Sequence, residues 1–281
     1  MDSRLTEPDA STTFSDDQRS FFDDHGYLIV ENALPPEIVF SLNEVIDELY
    51  KKQGDAGGLE PGGKLNLRNC ILTHDAFLKL LDWPVTFSLV CGILGWNIQM
   101  ITSHLIVLPT QDRPENTSHL GVGLHRDGGT SCREMAEPHP RIWLKVAYAI
   151  SDQTDPATGA TVLVPGSNRL NGPPPVDPET GIAHGAISMN VKPGTAFLFE
   201  QRTWHGVGCN WSDSLRKTLF FGYAYRWVKP MDYVEMPETL IARASPVQRQ
   251  LLGAVSDPLS FYLPREEDVP LKDVVEKAQT C

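Results

Sequence analysis

A succession of short β-prone segments in the second half of the chain limits the fold more than any other feature. After residue 97, segments rich in β-branched and aromatic residues alternate with clusters of glycine, proline, asparagine and aspartate, which is typical of a sandwich or barrel. Seven strands are predicted, at residues 98–108, 141–150, 160–164, 185–191, 195–200, 205–210 and 216–227. The pattern therefore predicts a double-sheet jelly roll or a barrel.

Helical patterns come before these strands. Ser15 and Gln18 have the spacing of a capping box, so we expect a short helix that is followed by a strand at residues 27–30. Pro35 and Pro36 begin a second segment, in which apolar residues recur at helical spacing. Helices followed by short strands predict a mainly β (α+β) fold: a double-stranded β-helix, jelly-roll or cupin-like, with N-terminal helices packed on one sheet.

No linker, repeat or low-complexity tract divides the sequence. We therefore expect one domain over residues 15–281, preceded by a flexible tail at residues 1–14. Within that domain, residues 15–95 are predicted to be mainly helical, residues 97–228 to form the jelly-roll core, and residues 229–281 to form a C-terminal extension.

The charge balance excludes some classes of partner. Lysine and arginine number 24 against 36 aspartates and glutamates, which gives a net charge of −12. An acidic surface repels phosphate backbones and anionic lipids. We therefore expect neither a nucleic-acid partner nor a membrane partner.

Residues 83–111 contain no charged residue and are long enough to span a bilayer. Polar residues and glycines interrupt that run, and a buried helix followed by a buried strand explains it better. The five cysteines are scattered without a CxxC pair, as in proteins with reduced thiols, and the polar N-terminus is unlike a signal peptide. We expect a soluble, cytoplasmic protein that is a monomer or a homodimer.

The histidines point to a metal site. His125 and Asp127 are two residues apart in the glycine-rich segment 121–129, and residues at this spacing on an extended chain project to the same side. His205 follows the apolar segment 195–199. Two histidines and one carboxylate on one face form the facial triad of non-haem Fe(II) oxygenases, which leaves coordination positions open for cosubstrate and dioxygen. A histidine and an aspartate at this spacing also arise by chance, and the alternative is that each histidine is an ordinary hydrogen-bonded residue of the core or the surface.

Arg216 strengthens the metal hypothesis. If residues 205–210 and 216–227 form a hairpin, His205 and Arg216 lie on neighbouring strands. A guanidinium there can bind a carboxylate through two hydrogen bonds, as a metal-chelating 2-oxoacid with a distal carboxylate requires. The alternative is a surface arginine that pairs with Asp213.

Taken in order, these motifs resemble those of the phytanoyl-CoA dioxygenase family of Fe(II)/2-oxoglutarate oxygenases. The resemblance covers nearly the whole chain and is carried by residues 21–30, 125–127, 158–168 and 192–199, His205 and Arg216. It implies an enzyme that uses Fe(II), the cosubstrate 2-oxoglutarate and O2. By this resemblance His125, Asp127 and His205 would bind the iron. Arg216 would anchor the distal carboxylate of 2-oxoglutarate.

The resemblance also assigns residues around the cosubstrate. Thr161 matches a position that can hydrogen-bond 2-oxoglutarate, Tyr148 falls where relatives often place an aromatic ring against it, and Gln99 could face the same site. Ordinary strand packing is the alternative for each. Two positions depart from the family pattern: Val122 stands where many relatives have glutamine, and Asn168 replaces the histidine of the PGSH motif.

The predicted cavity walls indicate the kind of substrate. They are the glycine-rich loop at residues 54–69, the segment 130–141 and the late segment 223–233. The candidate substrate contacts in and beside these walls are Asn66, Arg68, His104, Met135, Arg141, Tyr225 and Trp227. This mixture of polar and aromatic side chains suits a small molecule such as a mid-sized secondary metabolite better than a fatty acyl chain. No extensive basic groove for the phosphates of CoA is evident.

Hydroxylation of an unactivated C–H bond, with release of succinate and CO2, is the expected reaction of such a site. Desaturation, cyclisation and epimerisation start from the same substrate radical and are the alternatives. Outside this enzyme class, a jelly-roll protein that binds a metal or small ligand without turnover, and a zinc hydrolase, use similar ligands. Both leave Arg216 unexplained.

Overall fold

The computed structural model describes residues 14–60, 62–113, 118, 120 and 123–279. Its strands are β1 (Tyr27–Val30), β2 (Leu65–Arg68), β3 (Ile98–Leu108), β4 (Trp143–Ala149), β5 (Thr161–Leu163), β6 (Ile187–Ser188), β7 (Ala196–Glu200), β8 (His205–Val207) and β9 (Arg216–Tyr225). Its helices are α1 (Asp16–His25), α2 (Pro36–Asp55), α3 (Asp75–Leu78), α4 (Pro84–Leu94), α5 (Glu238–Arg243), α6 (Pro246–Leu251) and α7 (Leu271–Gln279).

The strands of the described residues form two antiparallel sheets that face each other. The larger sheet has six strands in the order β1-β7-β4-β9-β3-β2, and the smaller has three in the order β6-β5-β8. Side chains of β9 alternate between the two faces of the larger sheet. Leu219, Phe221 and Tyr223 pack with the helices, whereas Phe220 packs with Leu163 of the smaller sheet. The predicted jelly-roll core with helices on one sheet is confirmed.

The N-terminal elements form as their capping residues predict. The Ser15 hydroxyl accepts a hydrogen bond from the backbone N–H of Gln18, and the Gln18 side chain accepts one from the backbone N–H of Ser15. The capping box is therefore present. Helix α1 ends at Gly26, which adopts a left-handed φ of 75°. Strand β1 then occupies its predicted residues and forms one edge of the larger sheet.

The uncharged run folds as the buried helix α4 followed by the buried strand β3. Strand β3 has the bounds predicted from the sequence, and all of its residues are buried. It is buried because β9 and β2 pair with its two edges and helices cover one of its faces. In the described part of the chain, no helix is long and apolar enough to cross a membrane.

One expectation about the strands is wrong. The hairpin between residues 205–210 and 216–227 does not form, because β8 pairs with β5 in the smaller sheet while β9 lies between β4 and β3 in the larger one. Pairing along both edges of β9 satisfies more backbone groups than a short hairpin with β8 would. Within residues 15–95, β1 was predicted, whereas β2, which joins the edge of the larger sheet, was not.

The regions that flank the core add contacts to it. Of the predicted N-terminal tail, only Phe14 is described, and it packs closely against Gly92 of α4. In the C-terminal extension, the Tyr233 hydroxyl donates a hydrogen bond of 2.5 Å to the Met100 carbonyl oxygen. This bond ties the extension to β3.

The connection from β8 to β9 crosses from the smaller sheet to the larger one. It approaches the backbone of Gly159 closely, which is possible because glycine has no side chain. Gly159 has a φ of 72°, and a Cβ added there would lie 2.7 Å from backbone atoms of residues 208–210. The Asn210 side chain holds the same connection by donating a hydrogen bond of 2.9 Å to the Leu108 carbonyl oxygen. The connection is therefore packed, backbone against backbone, on the turn before β5.

We expect Gly159→Ala to lower the free energy of unfolding by about 2–4 kcal/mol, because alanine would strain the backbone and also collide with it. Gly57→Ala is the matched control, since Gly57 also has a positive φ, of 68°, but nothing lies within 4 Å of an added Cβ. Gly57→Ala should lower the free energy of unfolding by only ~1 kcal/mol. Urea denaturation gives both values, and equal losses would contradict the close contact.

Candidate metal centre

The segment that carries His125 and Asp127 is held by backbone pairing with β8. The N–H of His125 donates to the carbonyl oxygen of His205, and the N–H of His205 donates to the carbonyl oxygen of His125, each at 2.9 Å. The N–H of Asp127 donates to the carbonyl oxygen of Gln201 at 3.1 Å. This extended pairing places both His125 and Asp127 beside His205.

The three predicted ligand side chains converge. One ligand atom from each of His125, Asp127 and His205 lies within 4.8 Å of the others. His205 Nε2 is 3.8 Å from Asp127 Oδ1, and the centroids of the two imidazole rings are 4.4 Å apart. His205 Nδ1 lies 2.9 Å from the carbonyl oxygen of Thr203, and donation there leaves the Nε2 lone pair for a metal. This cluster could therefore hold a metal ion.

Burial and neighbouring charges set the protonation of these groups. His205 is 6% exposed, and burial lowers its pKa to about 4 against the smaller opposing effect of Asp127. Burial would raise the pKa of Asp127, but Lys145 and His205 outweigh it and hold that pKa below its usual value. At neutral pH they are an uncharged imidazole and a carboxylate, the forms that bind a divalent metal.

Lys145 belongs to this site, although the sequence analysis did not single it out. It lies on β4, and its Nζ donates to Asp127 Oδ1 at 2.7 Å and is also 2.7 Å from Oδ2. Its side chain is only 15% exposed. The sequence contained a clue to this role, because Lys145 interrupts an otherwise apolar strand. A lysine that is largely buried requires a partner.

Arg216 lies inside the molecule and has no acidic partner in the part of the chain that the structure describes. It is 1% exposed, and burial lowers the pKa of its guanidinium to about 10, so it stays charged at neutral pH. Its Nη1 donates to Thr218 Oγ1 at 3.3 Å, whereas Nε and Nη2 have no hydrogen-bond partner among the described residues. The alternative of a surface arginine paired with Asp213 is therefore wrong. An unpaired buried guanidinium is the signature of a site that receives an anion.

Thr161 offers a second unpartnered group to the same interior. Its Oγ1 is buried and has no hydrogen-bond partner within the described ranges. Thr161 and Leu163 face the same side of β5, and Leu163 packs with Phe197 and Phe220 between the two sheets. The Thr161 hydroxyl is therefore available to a molecule bound between the sheets.

Two residues predicted to contact the cosubstrate point elsewhere, which corrects those expectations. Tyr148 projects to the helix-covered face of β4, where its hydroxyl is 2.6 Å from Thr86 Oγ1 on α4. Residues alternate along a strand, and Lys145 on the same strand takes an inward position. The Gln99 amide donates to two carbonyl oxygens in the segment 226–228. It braces the chain that follows β9 and makes no contact with the convergent side chains.

Three of the predicted substrate contacts lie together at the edge of the larger sheet. Asn66 and Arg68 are on β2, and His104 is opposite Arg68 on β3. The Asn66 Oδ1 and the His104 Nε2 are hydrogen-bonded, and the His104 ring lies 6.1 Å from the Phe220 ring. Burial, followed by the charge of Arg68, lowers the pKa of His104 to about 3. His104 is thus an uncharged group on the inner face of the larger sheet.

Other predicted contacts form apolar surfaces. Met135 is half-buried and packs against a small apolar cluster that includes Trp143, and Gly128 lies against the same tryptophan. Met135 is not among the residues that line the cavity beside the metal-capable cluster. Tyr225 and Trp227 stack with ring centroids 6.1 Å apart, and Trp227 is 51% exposed. This stacked pair offers an aromatic surface at the end of β9.

Arg141 is already bound within the protein. Its Nε donates to Glu200 and its Nη2 donates to Asp23, each at 2.6 Å. Glu200 is fully buried and also accepts a hydrogen bond from Asn168. The predicted substrate contact and the asparagine that replaces the family's histidine therefore belong to one structural ionic network. The other departure from the family pattern, Val122, lies outside the described residues.

A cavity of about 320 Å³ opens beside the convergent side chains. Its lining residues are Leu124, His125, Arg126, Asp127, Gly129, His139 and Trp204. Arg126 was not predicted; it donates to both carboxylate oxygens of Glu137, at 2.8 and 2.7 Å, and lies 5.5 Å over the Trp204 ring. The cavity wall thus combines a paired arginine with an aromatic ring.

Comparison with known proteins agrees with this site. The model of the phytanoyl-CoA dioxygenase (PhyH) family matches residues 22–218, a span that contains the convergent side chains and Arg216. A dioxygenase of Talaromyces verruculosus, cdmA, is 30% identical over 138 residues, which make up 46% of this chain and 44% of that protein.

Two solved structures share the fold. EctD from S. alaskensis, solved with 2-oxoglutarate and 5-hydroxyectoine, is 21% identical, and the match covers 87% of this chain and 88% of that chain with a TM-score of 0.59. The epimerase SnoN, solved with Fe3+, alpha ketoglutarate and nogalamycin RO, is 17% identical, and the match covers 78% of this chain and 88% of that chain with a TM-score of 0.54. At these identities the likeness shows the fold alone.

We expect His125→Ala and His205→Ala each to lower the affinity for a divalent metal by more than about 100-fold, since loss of even an outer partner of a ligand costs 10–100-fold. Titration with Co(II), followed by visible absorption, measures the affinity. His184→Ala, at an exposed loop position, is the control and should bind as the unmodified protein does. Circular dichroism checks that the variants are folded. Undiminished binding in either ligand variant would contradict the assignment.

Proposed function

Since this chain belongs to the phytanoyl-CoA dioxygenase family and is therefore a 2-oxoglutarate-dependent non-haem iron dioxygenase, we propose that it hydroxylates an unactivated C–H bond of a small molecule of secondary metabolism. When bound, iron and 2-oxoglutarate supply the oxidising power, with dioxygen consumed and succinate and CO2 released. The chain's own residues hold these groups and orient the substrate.

The proposed iron ligands are His125, Asp127 and His205, whose donor atoms converge within 4.8 Å. The proposed cosubstrate residues are Arg216 and Thr161. The unpartnered Nε and Nη2 of Arg216 form one edge of its guanidinium, and such an edge binds a carboxylate through two parallel hydrogen bonds. This buried, unpaired edge is the observation that carries the proposal, because it fits the distal carboxylate of 2-oxoglutarate.

Neighbouring residues prepare the site. Phe197 and Phe199 pack with Leu163 between the sheets, which keeps water from the interior that Arg216 faces. Lys145 holds the carboxylate of Asp127, which limits the orientations that this ligand adopts before a metal binds. The donors are therefore arranged in advance of the reaction.

Relatives support secondary metabolism as the setting. The relative from Talaromyces verruculosus is a fungal dioxygenase, and SnoN was solved with nogalamycin RO. The EctD structure contains 5-hydroxyectoine together with 2-oxoglutarate, which favours hydroxylation for this chain. SnoN is an epimerase, so epimerisation, with desaturation and cyclisation, is the second candidate outcome.

A metal-binding jelly-roll protein without turnover is the competing function from another class. Such a protein needs the convergent ligands but gives no role to a buried, unpaired Arg216. A zinc hydrolase has the same difficulty. The dioxygenase reading accounts for both features and is the one we adopt.

We also propose a cytoplasmic protein that acts as a monomer or homodimer on a small-molecule substrate. The support is the set of free cysteines within the described residues, which are Cys70, Cys91, Cys132 and Cys209. Unpaired thiols are typical of reducing compartments.

Anaerobic addition of Fe(II) and then 2-oxoglutarate should produce a weak visible metal-to-ligand charge-transfer band. The band needs both additions, because it reports chelation of the iron by the cosubstrate. His205→Ala is the control and should give no band. No band in the unmodified protein, with Zn(II) tightly bound instead, would favour the hydrolase or the non-catalytic protein.

Once succinate release has identified a substrate, the mass of the product separates the candidate reactions. Hydroxylation adds one oxygen atom, desaturation and cyclisation remove two hydrogen atoms, and epimerisation leaves the mass unchanged. We expect the added oxygen. A product of unchanged mass would contradict hydroxylation while leaving the dioxygenase class intact.

Arg216→Met should weaken 2-oxoglutarate binding by about 100-fold while Co(II) affinity changes little, because the guanidinium binds the cosubstrate and not the metal. Arg216→Lys keeps the charge but cannot form two parallel hydrogen bonds. Its affinity for 2-oxoglutarate should therefore lie between that of the unmodified protein and that of Arg216→Met. The dependence of the charge-transfer band on 2-oxoglutarate concentration measures this. A normal dependence in Arg216→Met would show that another residue is the anchor.

A further inference from the structure

The contact between Lys145 and Asp127 involves both oxygen atoms of the carboxylate. Lys145 Nζ donates to Oδ1 at 2.7 Å and is also 2.7 Å from Oδ2. Oδ2 is buried, and no other described residue donates a hydrogen bond to it. An ammonium carries three N–H groups, so a rotation about its last bond directs a donor to either oxygen. Lys145 can therefore keep one oxygen of Asp127 when another group takes the other.

The oxygen that the structure places beside the ligand imidazole is Oδ1. It lies 3.8 Å from His205 Nε2, and the ligand atoms of the three convergent side chains lie within 4.8 Å of one another. Two neighbouring ligand atoms that each bind a metal at about 2.1 Å are separated by about 3 Å. A small shift therefore brings Oδ1 and Nε2 onto one ion, and Oδ2 is the oxygen left to Lys145.

The surroundings of Lys145 hold its ammonium in this place. Its Nζ lies 5.9 Å from the centroid of the Phe199 ring, and the face of an aromatic ring attracts a cation. The centroid of the same ring lies 4.7 Å from that of His205. One aromatic side chain thus contacts both the ammonium and a ligand imidazole, and the low exposure of Lys145 gives the ammonium few other positions.

The number of oxygens through which Asp127 binds decides how many coordination positions remain. A carboxylate can bind a metal through one oxygen or through both. Two histidines and one carboxylate oxygen leave three positions of a six-coordinate iron open. The two chelating oxygens of 2-oxoglutarate fill two of them, which leaves one for dioxygen. A second oxygen from Asp127 would occupy that last position.

We propose that Lys145 is a positioning residue that reserves Oδ2 of Asp127, so that this carboxylate binds iron through Oδ1 alone and one coordination position stays open. The inference rests on the proposed function, because the open position matters only if 2-oxoglutarate and dioxygen both bind. The arrangement has a cost, since the charge of Lys145 repels a divalent ion.

A purely structural role for Lys145 makes different predictions. A lysine that only neutralises a buried aspartate, or only helps to assemble the ligands, would not change how many oxygens of Asp127 bind a metal. Removing such a lysine would weaken metal binding. Removing a lysine that reserves Oδ2 should leave metal binding as tight or make it tighter, because a repulsive charge is lost and a second oxygen becomes free to bind.

Infrared spectroscopy measures how Asp127 binds. The separation between the antisymmetric and symmetric carboxylate stretching bands is larger when one oxygen binds a metal than when both do. Labelling with carbon-13 aspartate isolates the bands that change when Zn(II) is added, and Asp127 supplies the carboxylate of the convergent side chains. We expect the larger separation in the unmodified protein. The smaller separation there would overturn the inference, even if no variant could be folded.

Substitutions assign the effect to Lys145. Lys145→Met should give the smaller separation with Co(II) affinity the same or higher, and Lys145→Arg, which keeps a charged donor, should retain the larger separation. Lys217→Met is the matched control, because Lys217 is also a largely buried lysine, 9% exposed, that pairs with an aspartate, Asp47, at 2.7 Å. It contacts Asn43 of α2, so its loss should leave the infrared bands of Asp127 unchanged.

Nitric oxide tests the open position itself. Under nitrogen it binds Fe(II) where a coordination position is free or exchangeable, and the complex has a high-spin electron paramagnetic resonance signal. With Fe(II) and saturating 2-oxoglutarate, the unmodified protein and Lys145→Arg should both give this signal. Lys145→Met should lose most of it while the charge-transfer band persists, which shows that iron and cosubstrate are still bound.

Three results with folded Lys145→Met would overturn the inference: an unchanged infrared separation, an undiminished nitric oxide signal, or Co(II) affinity as low as that of His125→Ala. The infrared measurement needs no cosubstrate. An unmodified protein that gives no charge-transfer band, together with the expected infrared separations, would therefore contradict the proposed function and uphold the role of Lys145. The two failures are distinguishable for this reason.

Discussion

The candidate site depends on one pair of backbone hydrogen bonds, between His125 and His205. These two residues are far apart in the chain, and the pairing fixes their separation without any contribution from their side chains. Asp127 follows because the same extended segment continues to the carbonyl of Gln201. Backbone pairing places these residues side by side before anything binds, so binding requires little movement of the backbone. The connection that follows His205 packs against Gly159 and then continues to Arg216 at the start of β9.

Much of the fold was readable from the sequence, since the signals are local. The capping box at Ser15, the bounds of β3 and the strand-rich second half all follow from patterns within a few residues of each other. The hairpin expected after His205 failed because turn residues indicate that a chain reverses, but not which sheet it joins. That choice depends on long-range pairing of β9 with both β4 and β3. The edge strand β2 was missed for the same reason, since it is four residues long and is defined by its partner.

Some residues of the candidate site were predictable from the sequence, and others were not. The residue types of a facial triad, together with a family resemblance, were enough to name the converging ligands and the buried Arg216. The orientation of a strand side chain was not predictable for Tyr148, which packs against α4, nor for Gln99, which bonds to the chain after β9. Lys145 was overlooked because a single charge in an apolar strand has meaning only when its partner is known. Arg141 was placed at the substrate because nothing in the sequence links it to the buried Glu200.

Strand β2 pairs with the rest of the larger sheet along one side only. The groups proposed for iron and 2-oxoglutarate come instead from β5, β8 and β9 and from the segment paired to β8. Asn66 and Arg68, which were predicted from the sequence to contact the substrate, therefore lie on a peripheral strand that supplies none of the proposed iron or 2-oxoglutarate ligands. A substitution at either position would alter the rim of the sheet without removing a group from the proposed oxidative centre.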